Sequence, residues 1–352
     1  MPKMAGVASL ILLCSIKSDP RSWLTFDGWN KPLTSRRNRP TYMIIHILTH
    51  ARPHNPDSAL TKSLDLLTHA AERLGHAIEI VEAKKCKLKF YKETKILIEN
   101  KKPRIDVLVV KATFSGNMID AHAPLVRQFE LAGIPVVNRY QPIVRASNKI
   151  LTLQTLHQKG IPMPKTFVVR SAEYIEDVMK DIGSYPVILK TASGSSGIGV
   201  SIIESKRGLQ SIIQLLSEQE NAAPIIIQEY VKESRGKDIR VFIVGGAIIA
   251  AMERVATQKG EFRSNFSLGG KVKIASLSEK EKSISLRAAE ACGLDFAGVD
   301  VMRTKTGPKI IEVNSNPGLE GITQATGVDV AGAIIAYAVK KAKKRYSEAR
   351  KT

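Results

Sequence analysis

Near residue 148 the order of elements in the chain changes, and that change restricts the fold more than any other feature. Before it, runs alternate as strand, helix, strand. Residues 43–48 read as a strand; a helix capped by Asp57 or Ser58 runs to Leu74 and stops at Gly75; 77–81 and 107–111 are short β-rich runs. A helix over 122–132 ends at Gly133, before a strand at 135–138. Such alternation predicts a small open α/β layer of parallel strands. After residue 148, strands come in pairs: 187–191 with 200–203, 238–244 with 247–253 around Gly245-Gly246, and 296–303 with 309–314. Helices at 148–159, 172–181 and 206–217, a strand at 225–229 and a long closing helix complete this second, α+β part. At about 150 residues per domain, 352 residues accommodate both.

The first layer carries no G-x-G-x-x-G after its opening strand, so a dinucleotide site is not expected there. Residues 1–42 read as an extension outside the fold: a short apolar run from Ala5 to Cys14, then Pro20, Pro32 and Pro40 in a stretch with seven basic and two acidic residues. It lacks the basic start and small-residue cleavage site of a signal peptide. Residues 340–352 hold seven basic residues against one acidic, so the two ends supply eleven of the twenty excess positive charges. That basic C-terminal segment reads either as a solvated helix face or as a contact for an acidic partner such as ribosomal RNA. Aromatic residues are only 5 %, which speaks against a surface built on base stacking. No apolar run approaches the ~20 residues of a membrane span. Cys14, Cys86 and Cys292 are far apart and form no CxxC pair, which excludes a disulfide scaffold and fits a reducing, cytoplasmic setting. All seven histidines precede residue 158, which places them far along the chain from the chemistry-bearing segments and argues against a zinc or triad role.

Three segments carry chemistry. The first is the loop Thr191–Gly199, with Gly194, Ser195, Ser196 and Gly197 at its tip, entered from an apolar strand that ends in Lys190. It joins two strands instead of opening a helix, as a flexible phosphate lid does; glycines admit backbone N–H groups close to phosphate oxygens, and Lys190 adds a fixed charge. An ordinary hairpin loop with a surface lysine would carry the same residues. The second is the last hairpin. Pairing Arg303 with Lys309 puts Asp300 opposite Glu312, with Glu312 and Asn314 on one face and Ile311 and Val313 on the other. Facing carboxylates repel across a ladder, a cost explained by a divalent cation between them with Asn314 as a neutral oxygen ligand; two solvated carboxylates on an open face are the other reading. The third comprises the strand end Gln228–Val231, then Asp238, Arg240, Glu253, Arg254, Arg263 and Asn265. Arg240 and Arg254 read singly as salt-bridge partners of Asp238 and Glu253, and together as clamps on phosphoryl and carboxylate oxygens.

Taken together, 146–149, 186–199, 228–240, 261–265, 298–300 and the run EVNSNPGLEG at 312–321 resemble the ATP-grasp superfamily, and more narrowly the RimK-type α-L-glutamate ligases. The resemblance runs from Met43 to the last helix. It implies an α/β N-terminal pre-ATP-grasp layer followed by a two-subdomain α+β ATP-grasp fold, divided as extension 1–42, first domain 43–145, central subdomain 146–227, C-terminal subdomain 228–339 and basic tail 340–352. It implies Lys149 and Lys190 on the phosphates and purine, Glu229, Tyr230 and Val231 around adenine, Asp238 near the nucleotide, and the glycine lid Gly194–Gly197 over the phosphates. Asp300, Glu312 and Asn314 would hold two Mg²⁺ or Mn²⁺ ions. Arg240, Arg263 and Asn265 would serve catalysis, Arg263 also touching the nucleotide. The implied activity is ATP-dependent addition of L-glutamate to the C-terminus of a protein or peptide through an acyl phosphate, with a small-subunit ribosomal protein as the family's name-giving acceptor, ribosome contact through the tail, and a homo-oligomeric assembly. A small-molecule or carrier-protein acceptor, or a basic ribosome-binding protein with a vestigial nucleotide fold, are the alternatives. Two departures stand out: Gly194-Ser195-Ser196-Gly197 replaces the family's usual Gly-Thr-Gln-Gly, and Ser267-Leu268 stands where His-Arg is common. The second removes a positive charge near the substrate and so bears on the acceptor.

Overall fold

The computed structural model describes residues 42–349 except 52, 54, 92, 113–117, 193–198, 218–222 and 258–269. Gly194, Ser195, Ser196, Gly197, Arg263, Asn265, Leu268 and the extension up to residue 41 therefore lie outside the described residues.

The first layer is built from β1 (Ile44–Thr49), α1 (Ala59–Arg73), β2 (Ala77–Glu82), β3 (Cys86–Tyr91), β4 (Glu93–Ile98), β5 (Val107–Val110), α2 (Met118–Leu131) and β6 (Val136–Val137). Its main sheet has the order β2-β1-β5-β6 with every pair parallel. β1 and β5 are apolar and buried on both sides, as strands covered by helices on two faces must be. Ser58 caps α1 by accepting from the Thr61 amide at 3.1 Å, and Gly75, at φ +76°, turns the chain out of the helix into β2. Parallel strands carry their C-terminal ends, Thr49 and Val110, to one edge of the sheet, and that edge becomes a wall of the site. The antiparallel hairpin β3–β4 stands apart as its own two-stranded sheet.

Next come α3 (Tyr140–Ser147) and α4 (Lys149–Gln158), then β7 (Thr166–Val169), α5 (Ile175–Ile182), β8 (Val187–Thr191), β9 (Val200–Ile203), α6 (Lys206–Ser217) and β10 (Ile225–Glu229). β7 to β10 form an antiparallel sheet of order β7-β10-β8-β9. Its buried side chains, including Val187, Leu189, Leu209, Ile213 and Ile227, form a cluster drawn wholly from this segment. α3 and α4 belong elsewhere: Ile143 of α3 packs in the first layer, while Ala146 and Leu156 pack with the next sheet. The apolar cluster of this sheet thus begins near Thr166.

The last part holds β11 (Lys237–Val244), β12 (Ala247–Val255), β13 (Lys271–Ile274), α7 (Glu279–Cys292), β14 (Phe296–Met302), β15 (Lys309–Asn314), α8 (Glu320–Thr326) and α9 (Val330–Glu348). The sheet order is β13-β12-β11-β14-β15. Asp300 faces Glu312 as the sequence predicts, but the pairing below it differs: Val301 meets Ile310 and Met302 meets Lys309, so Arg303 and Lys309 are not partners. A bulge makes Ile311 the extra residue. Its cause is burial on one face. With the bulge, Ile310 and Val313 both reach the core at 1 % exposure, and Ile311 turns to the opposite side from the one expected.

α9 joins the first layer to the last sheet. Ile334, Ile335, Ala338 and Ala342 share one buried cluster with Met43, Ile45 and Leu67 of the first layer and Phe242 and Phe296 of the last sheet. Tyr346 Oη donates to Asp106 Oδ1 at 2.5 Å, and Lys341 Nζ donates to the Val136 carbonyl at 3.0 Å and pairs with Asp295 at 2.7 Å. The expected tail from residue 340 is therefore continuous with the core helix as far as Glu348. Among the described residues no single helix is long and apolar enough to cross a membrane.

Candidate functional site

Strand register alone lines up most of the charged side chains on one face of the five-stranded sheet. Arg240 on β11 is flanked by Met252 on β12 and Asp300 on β14, and Asp300 in turn by Glu312 on β15. One step along the strands, Asp238 faces Arg254. The alternate residues Ile239, Val241, Val299 and Val301 are buried beneath. Period-2 alternation thus separates a charged floor from an apolar underside.

The floor is tightly bonded. Arg240 grips Asp300 with two bonds of 2.7 Å, from Nε and Nη2. Arg254 grips Asp238 at 2.6 and 2.5 Å and reaches Asp300 Oδ2 at 2.8 Å. The arginines therefore do not take the partners nearest in sequence; Glu253 pairs with Lys273 instead. Asp300 is 1 % exposed, and burial by itself would push its carboxyl up, yet Arg240 and Arg254 outweigh this and hold it below the ordinary carboxylate range. Burial likewise opposes the charge of Arg254, and Asp300 and Asp238 more than restore it.

Above this floor lies a cleft of about 500 Å³ lined by Lys149, Lys190, Gln228, Arg240, Arg254, Glu312 and Asn314, among others. Asn148, the single residue between α3 and α4, accepts from the amides of Ile150 at 2.9 Å and Leu151 at 3.2 Å, which fixes Lys149 at the first turn of α4. Lys190 Nζ donates to Gln228 Oε1 at 2.8 Å, and Gln228 Nε2 donates to Thr166 Oγ1 at 2.8 Å, a relay across three strands that aims the lysine. Burial pushes the Lys190 ammonium down to about 8; Glu312 and Asp300 oppose this, and Lys149 adds to it. Burial lowers Lys149 as well, against the pull of Glu312. Two desolvated lysines thus share one cleft, and an anion entering between them would favour their charged forms.

The remaining expected residues sit differently. Asp238 does not line the cleft; it is held by Arg254 and acts on the site through that guanidinium. Glu229 is tied to Lys309, Tyr230 has its hydroxyl buried, and Val231 is buried, so these three flank the cleft at the end of β10. His50 does line it, packed edge-on to His122 at 5.0 Å, so distance along the chain misjudged this histidine: β1 is parallel, and its C-terminal end is delivered to the cleft. Lys111, at the end of β5, is a cleft residue that sequence reasoning passed over. It is 3 % exposed, donates to the Pro317 carbonyl at 2.9 Å, and is pushed down to about 7 by burial. The signal available was an apolar strand closing on a lysine, the same signal as at Lys190.

For a divalent cation, the donors present are hard oxygens: Glu312 and Asn314 in the cleft and Asp300 beside them. With its amide nitrogen turned to Glu312, Asn314 donates to Oε1 at 3.2 Å and accepts from Arg240 Nη2 at 3.1 Å. Both Asp300 oxygens are engaged by arginines, and no group of three or more His, Cys, Asp or Glu poised for an ion occurs among the described residues. Such a set fits an ion that brings most of its ligands with it, as one chelated by polyphosphate does.

Comparison with known proteins bears on this geometry. Residues 146–338 match the RimK-like ATP-grasp domain. The probable alpha-L-glutamate ligase 2 of Pseudoalteromonas atlantica is 39 % identical over 293 residues, 81 % of this chain and 93 % of that protein. The probable alpha-L-glutamate ligase of Shewanella loihica is 38 % identical over 80 % of this chain and 92 % of its own length. Among solved structures, the ATP-grasp ligase PsnB complexed with its minimal precursor superposes with a TM-score of 0.66 at 18 % identity, covering 86 % of this chain and 99 % of PsnB. The D-alanine–D-alanine ligase of Bacillus anthracis complexed with ATP gives 0.64 at 17 % identity, over 87 % and 99 %. The last two likenesses concern the fold.

Proposed function

The chain belongs to the RimK-like ATP-grasp family and is an ATP-dependent, ADP-forming ligase, and from that premise we propose that it adds L-glutamate to the C-terminus of an acceptor protein or peptide. The observation that carries the reading is the pair of desolvated lysines, Lys149 and Lys190, facing Glu312 in a single cleft. A cleft with this charge distribution suits a polyphosphate and an attacking carboxylate better than it suits a neutral ligand.

In the proposed reaction an acceptor carboxylate oxygen attacks the γ-phosphorus of ATP, the bond to the bridging oxygen breaks, and ADP leaves. The amine of glutamate then attacks the acyl carbon, a C–N bond forms, phosphate departs, and the amine releases a proton to it. Lys149 and Lys190 bind and orient the phosphates. Gln228 keeps Lys190 directed at them, and the strand end Glu229–Val231 borders the base. Arg254 fixes Asp300, while Arg240 presents its guanidinium to the cleft. Arg263, Asn265 and the Gly194–Gly197 lid keep the roles implied by resemblance. Asp300, Glu312 and Asn314 would hold Mg²⁺ or Mn²⁺, which when bound neutralises phosphate charge. No protein nucleophile is required; positioning and electrostatics supply the rate.

Incubation with Mg-ATP, L-glutamate and candidate acceptor polypeptides tests the proposal, with ADP release and the acceptor's mass as readouts. We expect ADP release that requires both glutamate and acceptor, and glutamyl increments at the acceptor C-terminus. Lys190→Met lowers kcat by about 100-fold or more, the usual cost of removing a transition-state charge partner, while the protein stays folded. ADP release with another amino acid in place of glutamate, or glutamylation of small molecules only, would overturn it.

A further inference from the structure

The first-layer wall of the cleft holds a charge that the phosphate chemistry leaves unused. Lys111 follows the last residue of β5 and lines the cleft, yet it is only 3 % exposed. Its backbone is fixed on two sides: the amide donates to the Leu48 carbonyl at 2.9 Å, and the carbonyl accepts from Asn316 Nδ2 at 3.2 Å. The side chain is fixed as well, with Nζ donating to the Pro317 carbonyl at 2.9 Å. That acceptor is neutral. An ammonium carries three N–H donors, so two are left over, and no carboxylate among the described residues pairs with the charge. A buried charge without a counter-ion is costly, and an anionic ligand removes the cost.

The neighbours on this wall do not supply that anion. Ser63 Oγ donates to the Ala59 carbonyl at 2.7 Å and accepts from the Leu319 amide at 3.4 Å, and Glu320 is taken by Lys62 at 2.8 Å. Lys111 is also electrostatically separate from the phosphate lysines. Glu312 pulls on both Lys149 and Lys190, and Lys149 acts on Lys190; none of the three acts on Lys111, which burial alone lowers. An anion held there is therefore a different group from the phosphates. On the ligase reading given above, from which this inference proceeds, the remaining anions are carboxylates of two kinds. The acceptor's carboxylate attacks phosphorus and so lies with the phosphates. Glutamate keeps both of its carboxylates intact: the α-carboxylate shares its carbon with the attacking amine and stays near the same centre, and the γ-carboxylate stands two methylenes farther out. We propose that Lys111 binds the γ-carboxylate of the incoming glutamate and so selects glutamate over its side-chain amide. Glutamine in that place leaves a buried ammonium without a counter-charge, the kind of mismatch on which discrimination between near-isosteres is built.

The test is isothermal titration calorimetry of the full-length protein, held with Mg²⁺ and a non-hydrolysable ATP analogue, against L-glutamate, L-glutamine and isoglutamine, the α-amide that retains the γ-carboxylate. In the wild type we expect glutamate to bind about 100-fold more tightly than glutamine, with isoglutamine well ahead of glutamine. Lys111→Gln keeps an N–H for the Pro317 carbonyl and discards the charge. It weakens glutamate and isoglutamine about 30-fold or more and leaves glutamine and the ATP analogue within about threefold. Glutamate bound alike by wild type and variant overturns the proposal, as does a wild type that prefers glutamine to isoglutamine. A loss that falls on glutamine as heavily as on glutamate assigns Lys111 to the α-carboxylate and overturns it too, and a parallel loss of nucleotide affinity makes the lysine structural. A wild type that binds the nucleotide and takes another amino acid in place of glutamate sinks the glutamate ligase reading as well, whereas each of the preceding outcomes sinks this proposal alone.

Discussion

A lysine shut off from water holds its proton weakly until an anion joins it, and Lys190 is in that position. In the free protein burial pushes its ammonium down to about 8. Phosphate oxygens favour the charged form, so nucleotide affinity is full below that value and declines as pH rises through it, with proton uptake on binding between about 8 and the ordinary lysine value. The sign for stability is opposite. Across the same window the unfolded chain binds the extra proton, so the nucleotide-free protein gains stability as pH rises. Calorimetry of ATP-analogue binding near pH 8.5, in two buffers of different ionisation enthalpy, reads the uptake directly. We expect a fraction of a proton taken up by the wild type and none attributable to this site in Lys190→Met; equal uptake by both would remove Lys190 from the phosphates. Gln228 belongs to the same argument, since it holds the neutral and the charged amine alike through its carbonyl oxygen.

At the scale of elements, α9 and β15 show where reading the sequence stops. The facing of Asp300 and Glu312 was reached from a turn register one residue off: the observed pairing of Met302 with Lys309 would alone set Asp300 opposite Ile311, and the bulge brings Glu312 there instead. The bulge at Ile311 was not legible, because it answers to the depth of Ile310 and Val313 in a core formed by distant elements. The arginine partners were misplaced for a related reason. Arg254 finds Asp238 across the ladder and Asp300 two strands away, neither of which is adjacent in sequence. In α9 the basic residues after 340 gave the impression of a solvated tail, while the inward-facing Ala342 and Tyr346 lay hidden among lysines. Ending the chain after Lys341 therefore removes core, and it leaves Asp106, which is 0 % exposed, without its tyrosine partner. We expect a loss of about 2–4 kcal/mol in urea unfolding, with Tyr346→Phe accounting for about 1–3 kcal/mol of it. A truncated protein as stable as the full chain would show that the helix end is not integral.

Across the whole molecule the apolar clusters define which parts unfold together. The first layer, the last sheet and α9 share one cluster, and α4 joins the last sheet in another. The β7–β10 sheet has a cluster of its own, and of the sheet's buried apolar side chains only Ile188 and Ile226 lie outside it, Ile226 lining the cleft. Cooperative units follow shared burial, so this sheet opens at lower free energy than the remainder. Native-state hydrogen exchange should find the amides of β8 and β10 exchanging through a partial opening while those of β1, β5 and β14 wait for global unfolding. An ATP analogue should slow the former selectively, since Lys190 and Gln228 lie on that sheet and Arg240 and Glu312 on the other. Uniform protection throughout would show a single cooperative unit.

The packing of α9 on the opening layer also bears on when the fold can close. Met43, Ile45 and Leu67 are made some 260 residues or more, from Leu67 to Val330, before the helix that covers them. Until that helix is made the opening layer keeps open the apolar face that α9 covers in this cluster.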